Sequence, residues 1–284
     1  MTAPRIISGE KWSDEFYNSI EALRSTSIKV SGKSLFHFKA YTDGLITPSA
    51  QQQKGWDLGR FRHSAVLEKN IDGAKVFPNI GKYSKPRATK EWFAFQEENP
   101  NHIVITQDEY EELAGGFKAF WSHPEIREMM SGCQVEVIFC ALCAESGLWG
   151  KCKTDIINLK DQWFGDFKAC PEASDWAFAR FAARARYPIQ IGMYSHFIEL
   201  ATGVKMKGFR FFVQEIKSPY YTDWFQLSDH DFTESRHYFH EVMNKVAVAH
   251  KENVWPGYSK RDCLVLPPWA YQFEDAVGEG GFDA

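Results

Sequence analysis

The chain has no run of about 18 apolar residues, so no membrane-spanning helix and no membrane partner are expected. It has no Gly-x-x-x-x-Gly-Lys-(Ser/Thr) segment, so ATP is not an expected cofactor. A second Cys-x-x-Cys to match Cys140-Ala141-Leu142-Cys143 is missing, as are internal repeats and low-complexity tracts. An excess of positive charge is also missing. The 33 Lys and Arg face 37 Asp and Glu, for a net charge of −4. That balance excludes a wholly basic, histone-like nucleic-acid binder, but it leaves room for a local basic groove beside an acidic site.

What is present is ordinary for a globular protein: 284 residues, 44% hydrophobic and 25% charged. Aromatic residues are prominent, with 23 Phe, 11 Tyr and 10 Trp, and most are expected in the core. Met1-Thr2-Ala3-Pro4-Arg5 runs into a mixed polar segment without the apolar centre of an export signal. Cytoplasm is therefore the expected compartment. The cysteines at 133, 140, 143, 152, 170 and 263 are then expected as reduced thiols. Cys140 and Cys143 continue the strand-like Val135-Glu136-Val137-Ile138-Phe139. Positions i and i+3 of a strand face opposite ways, which argues for buried structural thiols over a shared metal.

The pattern predicts a helical N-terminal third, a β-meander, two helices, two strands and a last long helix, an α+β class with helices covering a sheet. Ser13 caps a first helix running to about Arg24, Ser34 precedes a second at 35–41, and a third runs from Thr47 through Gly59 to Glu68. Residues 71–105 read as loop-rich, with a basic cluster of Lys82, Lys85, Arg87 and Lys90. Helices follow at 107–121 and 124–131. Strands are expected at 134–144, 148–158 and 163–169, then at 208–216 and 222–227. Helices fill 176–184, 189–200 and about 229–250. One domain is expected, with a helical part over about 1–130, a core over about 131–270 and a mobile tail at 271–284.

The chemistry concentrates on the second and third strands. Asp166 and Lys168 are two apart, so they share a strand face at roughly 6–7 Å. Antiparallel pairing brings Asp155 beside Asp166. Two carboxylates on one face repel unless a hard divalent cation such as Mg²⁺ joins them through oxygen ligands. Such an ion activates water for phosphodiester hydrolysis, and Lys168 is left two roles, positioning that water or stabilising the transition state. Gln190 and Tyr194, four apart on the next helix, add an amide and a phenol suited to a phosphate or nucleotide. His63 is four residues after Gly59 and shares its helical face.

Taken in order, Gly59, His63, Leu67 and Glu68, then Glu145, Gly147, Lys151, Lys153 and Asp155, then Asp166 and Lys168, then Gln190 and Tyr194 resemble the motif series of the PD-(D/E)XK nuclease superfamily. The likeness is to the RecB-like branch, and within it to the RecE-type (exodeoxyribonuclease VIII) phage exonucleases. It covers about 28–270, ending near Leu264-Val265-Leu266-Pro267-Pro268-Trp269. The resemblance implies a PD-(D/E)XK core in which Asp155 and Asp166 ligate a catalytic Mg²⁺, with Mn²⁺ as substitute. It makes Lys168 the catalytic lysine, places His63 at the metal and puts Gln190 and Tyr194 behind the site. Glu145 is left two roles, reaching a second metal or binding a basic neighbour such as Lys153. It further implies a double-strand exonuclease, 5′ to 3′, acting on DNA ends as a ring-shaped homo-oligomer alongside a single-strand-annealing protein; the alternatives are an endonuclease or single-strand nuclease, or a non-catalytic DNA-binding scaffold, on the same fold. Arg60, Arg62, Lys82, Lys85, Arg87, Arg180 and Arg184 are the candidate phosphate contacts. Ala169 stands where the family usually has threonine. Only Cys263 lies late in the chain, so no iron–sulfur cluster is expected.

Overall fold

A computed structural model describes residues 5–47, 49–69, 73–78, 83–100, 102–259 and 263–267. The expected mobile tail and Lys82 lie outside the described residues.

The N-terminal part comprises β1 (Ile7–Glu10), α1 (Asp14–Ser19), α2 (Ser25–Ser31), α3 (Leu35–Thr42), α4 (Ala50–Leu67), β2 (Ala74–Val76), α5 (Lys90–Glu98), β3 (Ile103–Ile105), α6 (Gln107–Ser122) and α7 (Pro124–Met129). The core follows as β4 (Gln134–Cys143), β5 (Leu148–Asn158), β6 (Trp163–Cys170), α8 (Asp175–Arg184), α9 (Tyr187–Thr202), β7 (Gly208–Glu215), β8 (Thr222–Gln226) and α10 (Asp229–Glu252). Local chemistry sets many boundaries. Side chains of Ser13, Ser34, Thr89, Ser174 and Ser228 each accept a backbone N–H at a helix start. Thr106 and Glu109 form a reciprocal capping box on α6. Pro188 occupies the first turn of α9, and Gly203, at φ 74°, ends it.

The main sheet runs β1-β4-β5-β6-β7-β8. The expected β4-β5-β6 meander is antiparallel, β6 and β7 pair in parallel across the α8–α9 crossover, and β8 returns antiparallel. The N-terminal third is mostly helical, but it also lends β1 to the edge of this sheet and forms a small parallel pair, β2–β3. These strands of three or four residues, and α5 inside the expected loop region, carry too little periodicity to stand out in the sequence.

Helices cover both faces. On one, Phe139, Phe164 and Phe211 pack with Ile189 and Phe197 of α9 and Phe239 of α10. On the other, Ile156, Trp163, Phe167 and Phe212 pack against Val66, Leu67, Phe120 and Ile126 of α4, α6 and α7. Cys140 and Cys143 fall in different apolar clusters, as strand alternation requires. Burial pushes the Cys152 thiol well up and Cys170 up to about 11, which keeps them protonated.

The α9–α10 contact depends on Gly192. A Cβ there would sit 2.1 Å from the Ser235 carbonyl oxygen and 2.6 Å from Phe239 Cβ. Gly192→Ala is expected to cost about 1–3 kcal/mol through forced separation of the helices. Urea unfolding checks this as a lower midpoint at an unchanged slope.

Candidate active site

Three adjacent strands place three carboxylates in a row. The pairs Val135↔Ile156 and Val137↔Thr154 put Glu136 opposite Asp155. On the other side the ladder runs Ile157↔Phe164 and Ile156↔Gly165, and the next step faces Asp155 with Asp166. There the ladder stops, and Phe167 N–H donates to Asp155 Oδ2 at 2.8 Å in place of a strand carbonyl. Glu136, Asp155 and Asp166 are 7%, 9% and 4% exposed. Glu136 has φ 55°, a left-handed conformation that costs a non-glycine residue on the order of 1–3 kcal/mol and is held by its surroundings.

Neighbouring elements supply the remaining groups. In α4, buried Phe61, Ala65 and Val66 anchor the helix. This sets His63 Nδ1 3.3 Å from Asp155 Oδ2 and 3.9 Å from Glu136 Oε1, with its ring edge-on to Phe167. Lys168 Nζ lies 2.5 Å from Asp166 Oδ2. Gln190 Nε2 of α9 donates to Asp166 Oδ1 at 3.0 Å. Lys153 Nζ pairs with Glu136 Oε2 at 2.5 Å and with Asp14 at 2.7 Å.

Burial and close charges compete in this cluster. Burial raises the Asp155 carboxyl, but the His63 ring and Lys168 outweigh it and hold Asp155 well below the usual carboxylate range. Burial lifts Asp166, Lys168 pulls it back, and the neighbouring Asp155 charge lifts it again, for a net rise. Burial lowers His63, but Asp155 and Glu136 more than reverse that and bring it up to about 9. Burial also lowers Lys168, whereas Asp166 and Asp155 raise it further, so the ammonium stays charged.

A pH dependence follows for the metal-free protein. His63, raised from 6.5, contributes stability that is complete below its ordinary pKa and is lost as pH rises through about 9. Asp155, depressed, contributes stability present above its ordinary 3.8 and lost as pH falls through its lower folded value. In EDTA the thermal midpoint is expected to fall between pH 6.5 and 9.5, and His63→Asn should flatten that fall. Calorimetric scans across pH read both.

The donor set fits a hard divalent cation. Glu136 Oε1 and Asp166 Oδ2 are buried and accept no hydrogen bond of good geometry among the described residues, although Asp166 Oδ2 touches Lys168 as an ion pair. Single ligand atoms of His63, Glu136 and Asp155 lie within 4.8 Å of one another. Oxygen-rich sets of this kind suit Mg²⁺ or Mn²⁺.

Glu145 needs correction. It is exposed in the β4–β5 turn beside Asn244 and Lys251 of α10, seven strand residues and roughly 20 Å before Asp155. Lys153 pairs with Glu136 and Asp14 instead. Glu136, on the neighbouring strand, brings its carboxylate to the site. Its sequence signal is a charge isolated in the apolar run Val135–Phe139 and opposite Asp155 by hairpin register.

The other expected residues divide. Tyr194 is buried, with its hydroxyl 3.5 Å from Ser25 Oγ, so its hydrogen bond joins α9 to α2 rather than reaching the carboxylates. Lys151, buried, donates to the carbonyls of Tyr17 and Ile20. Arg87 is ion-paired with Glu109 and lies over Trp92, and Arg62 is half-buried near Glu109 and Glu112. Arg60, Lys85, Arg180 and Arg184 are exposed. Trp176, Arg180 and Arg184 follow at intervals of four on α8 and form one outward stripe, with Arg180 4.5 Å over the Trp176 ring.

Lys29, on α2, is a site residue that nothing local marks in the sequence. Its ammonium donates to Gln190 Oε1, which turns the Gln190 amide so that Nε2 faces Asp166. Burial lowers it to about 8, against the pull of Asp166. Lys29 and Lys168 both lie over the Tyr187 ring, at 4.6 and 5.3 Å. Lys29→Met frees the amide to flip and is expected to lower turnover about 10–100-fold, the usual scale for a group that orients a metal ligand. Lys29→Arg should recover part of that turnover, and single-turnover rates read the difference.

A mixed sheet with helices on both faces, carrying an Asp-x-Lys strand beside a second acidic strand, is the PD-(D/E)XK nuclease fold. The chain belongs to the family described as PDDEXK-like domain of unknown function (DUF3799), which it matches over residues 25–264. A solved structure from Eubacterium rectale, titled "Putative exonuclease", shares the fold at TM-score 0.61 and 16% identity, over 91% of this chain and 96% of that one. The structure of SSO0001 aligns at TM-score 0.26 and 9% identity over 65% of this chain and 86% of its own, too distant to bear on the fold. No curated protein matches the chain.

Proposed function

We propose that the protein is a divalent-metal-dependent deoxyribonuclease that degrades duplex DNA from its ends. The observation that carries this reading is the buried row Glu136-Asp155-Asp166 beside the ammonium of Lys168, with two of its oxygens accepting no hydrogen bond of good geometry among the described residues. Asp155, Asp166 and Glu136 would hold the cation, with His63 against Asp155. A bound cation supplies an acidified water and neutralises charge on a phosphoryl oxygen. The chain's own groups do the rest. Lys168, held charged, offsets the negative charge that grows on the phosphoryl group. Gln190 fixes the Asp166 carboxylate, and Phe167 N–H fixes that of Asp155, so neither must reorganise during the reaction.

The finer reading is a RecE-type enzyme that removes the 5′-ended strand and leaves a 3′ single strand for an annealing partner in recombination. A homo-oligomeric ring around the duplex belongs to the same reading, as does a cytoplasmic location. The supports are the motif order from His63 to Gln190 and the fold shared with the Eubacterium rectale protein. Arg60, Lys85, Arg180 and Arg184 are the exposed cations proposed to track phosphates. Replacing them with neutral residues should make DNA binding less salt-dependent, by roughly one unit of log–log slope for each phosphate no longer neutralised.

The test uses linear duplex labelled at the 5′ or 3′ end, and closed circular duplex, in Mg²⁺. Degradation of linear DNA with circles intact is the expected result, with immediate release of 5′ label. Immediate release of 3′ label alone would reverse the polarity. Cutting of circles would replace the exonuclease reading with an endonuclease.

A further inference from the structure

Between α8 and α10, closed below by β7 and β8, runs a groove of about 710 Å³. Phe178, Ile191, Phe211, Phe225 and Leu227 give it an apolar floor. Tyr238, 41% exposed, stands in its wall. Four carboxylates stand along its edges, Asp175 on α8 and Asp231, Glu234 and Glu241 on α10, with one imidazole, His237, 3.4 Å from Glu234. Among the described residues no Lys or Arg lines it. Asp231, Glu234, Tyr238 and Glu241 are spaced by three, four and three residues, so they share one face of α10 over roughly 15 Å.

These features narrow the occupant. A concave floor of aromatic and aliphatic side chains suits an apolar group that enters it. Four carboxylates repel a phosphate backbone, so the groove is not a DNA path. A neutral apolar small molecule would gain nothing from them. A helix with one apolar face flanked by Lys and Arg satisfies both floor and rim, and three of its turns match the length of the stripe. The two sides of α8 are thus chemically distinct: Trp176, Arg180 and Arg184 face one way, and the groove-lining Asp175, Phe178 and Ala182 face the other.

We infer that this groove is a docking site for a basic amphipathic helix of a partner protein, whose apolar side chains enter the floor and whose cations lie over the acidic rim. Tyr187 belongs to the groove lining and also packs under Lys29 and Lys168. A docked helix therefore lies one side chain away from the catalytic lysine, although the docking claim does not depend on the nuclease reading.

The probe is a fluorescein-labelled synthetic amphipathic Leu/Lys helix of about 14 residues, compared with a Leu/Glu peptide of the same pattern, by anisotropy on the full chain. The protein variants are E234K/E241K in the groove and E97K/E98K on α5, exposed positions with equal charge change. The Leu/Lys peptide is expected to bind wild type and E97K/E98K within about twofold of one another, and E234K/E241K at least about tenfold more weakly. The Leu/Glu peptide should show the reverse preference, and E234Q/E241Q should fall between, which covers a misfolded reversal variant. Absence of binding, or equal weakening in both reversal variants, would overturn the inference. So would a wild-type dimer in sedimentation that E234K/E241K dissolves, because a second copy would then own the groove.

Discussion

Asp166→Asn is expected to lower DNA hydrolysis by about three orders of magnitude or more, because it removes a ligand charge from the face where Asp155, Asp166 and Lys168 meet. The substitution is nearly isosteric, and the new Oδ1 can still accept from Gln190 Nε2. What changes is charge. Lys168, half-buried and 2.5 Å from Asp166 Oδ2, is deprived of its nearest counter-ion. An uncompensated, half-buried ammonium costs stability, so the thermal midpoint of Asp166→Asn should fall. Adding Lys168→Met should restore the midpoint without restoring activity. That pattern separates damage to the chemistry from damage to the fold. Recovery of hydrolysis in the double variant would place the chemistry elsewhere. Release of acid-soluble label from duplex DNA, beside a melting curve, measures both.

Glu136→Gln is expected to weaken divalent-metal binding by about 10–100-fold and activity at limiting metal by a similar factor, whereas Glu145→Gln leaves both near wild type. The contrast follows from position. Glu136 Oε1 is buried, accepts no hydrogen bond among the described residues and faces His63 and Asp155. Glu145 is exposed in a turn at the far end of the hairpin. In the metal-free protein the amide cannot keep the ion pair with Lys153, so stability drops, and excess Mn²⁺ should recover the activity of Glu136→Gln but not that of Asp166→Asn. Calorimetric Mn²⁺ titration of the three variants reads the effect. Equal metal affinity in wild type and Glu136→Gln, with weakening in Glu145→Gln, would return the ligand role to the residue suggested by motif order.

Legibility in the sequence depends on the range of the interaction concerned. The β4-β5-β6 meander is readable because turn residues such as Ser146-Gly147 separate long apolar runs. Hairpin register follows from short turns, which is why Asp155 and Asp166 are expected side by side and lie one step beyond the last ladder pair, Ile156↔Gly165. The same reasoning applied to β4 points to Glu136, but the motif series points to Glu145, ten positions before Asp155 in sequence and far from it along an extended strand. Lys29 and the role of Tyr194 depend on how α2 docks on α9, a tertiary contact between segments more than 150 residues apart, and no local pattern encodes it. β1 escapes sequence reading for a related reason. Four residues give little alternation, and its place is set by pairing with β4 over 120 residues later.

The most direct test of the account is nucleotide release from linear duplex DNA by the wild-type chain, in Mg²⁺ and again after EDTA. The account expects steady release in Mg²⁺, none in EDTA and recovery when Mg²⁺ or Mn²⁺ is returned. Release that persists in EDTA, or no release with any divalent cation, would contradict it.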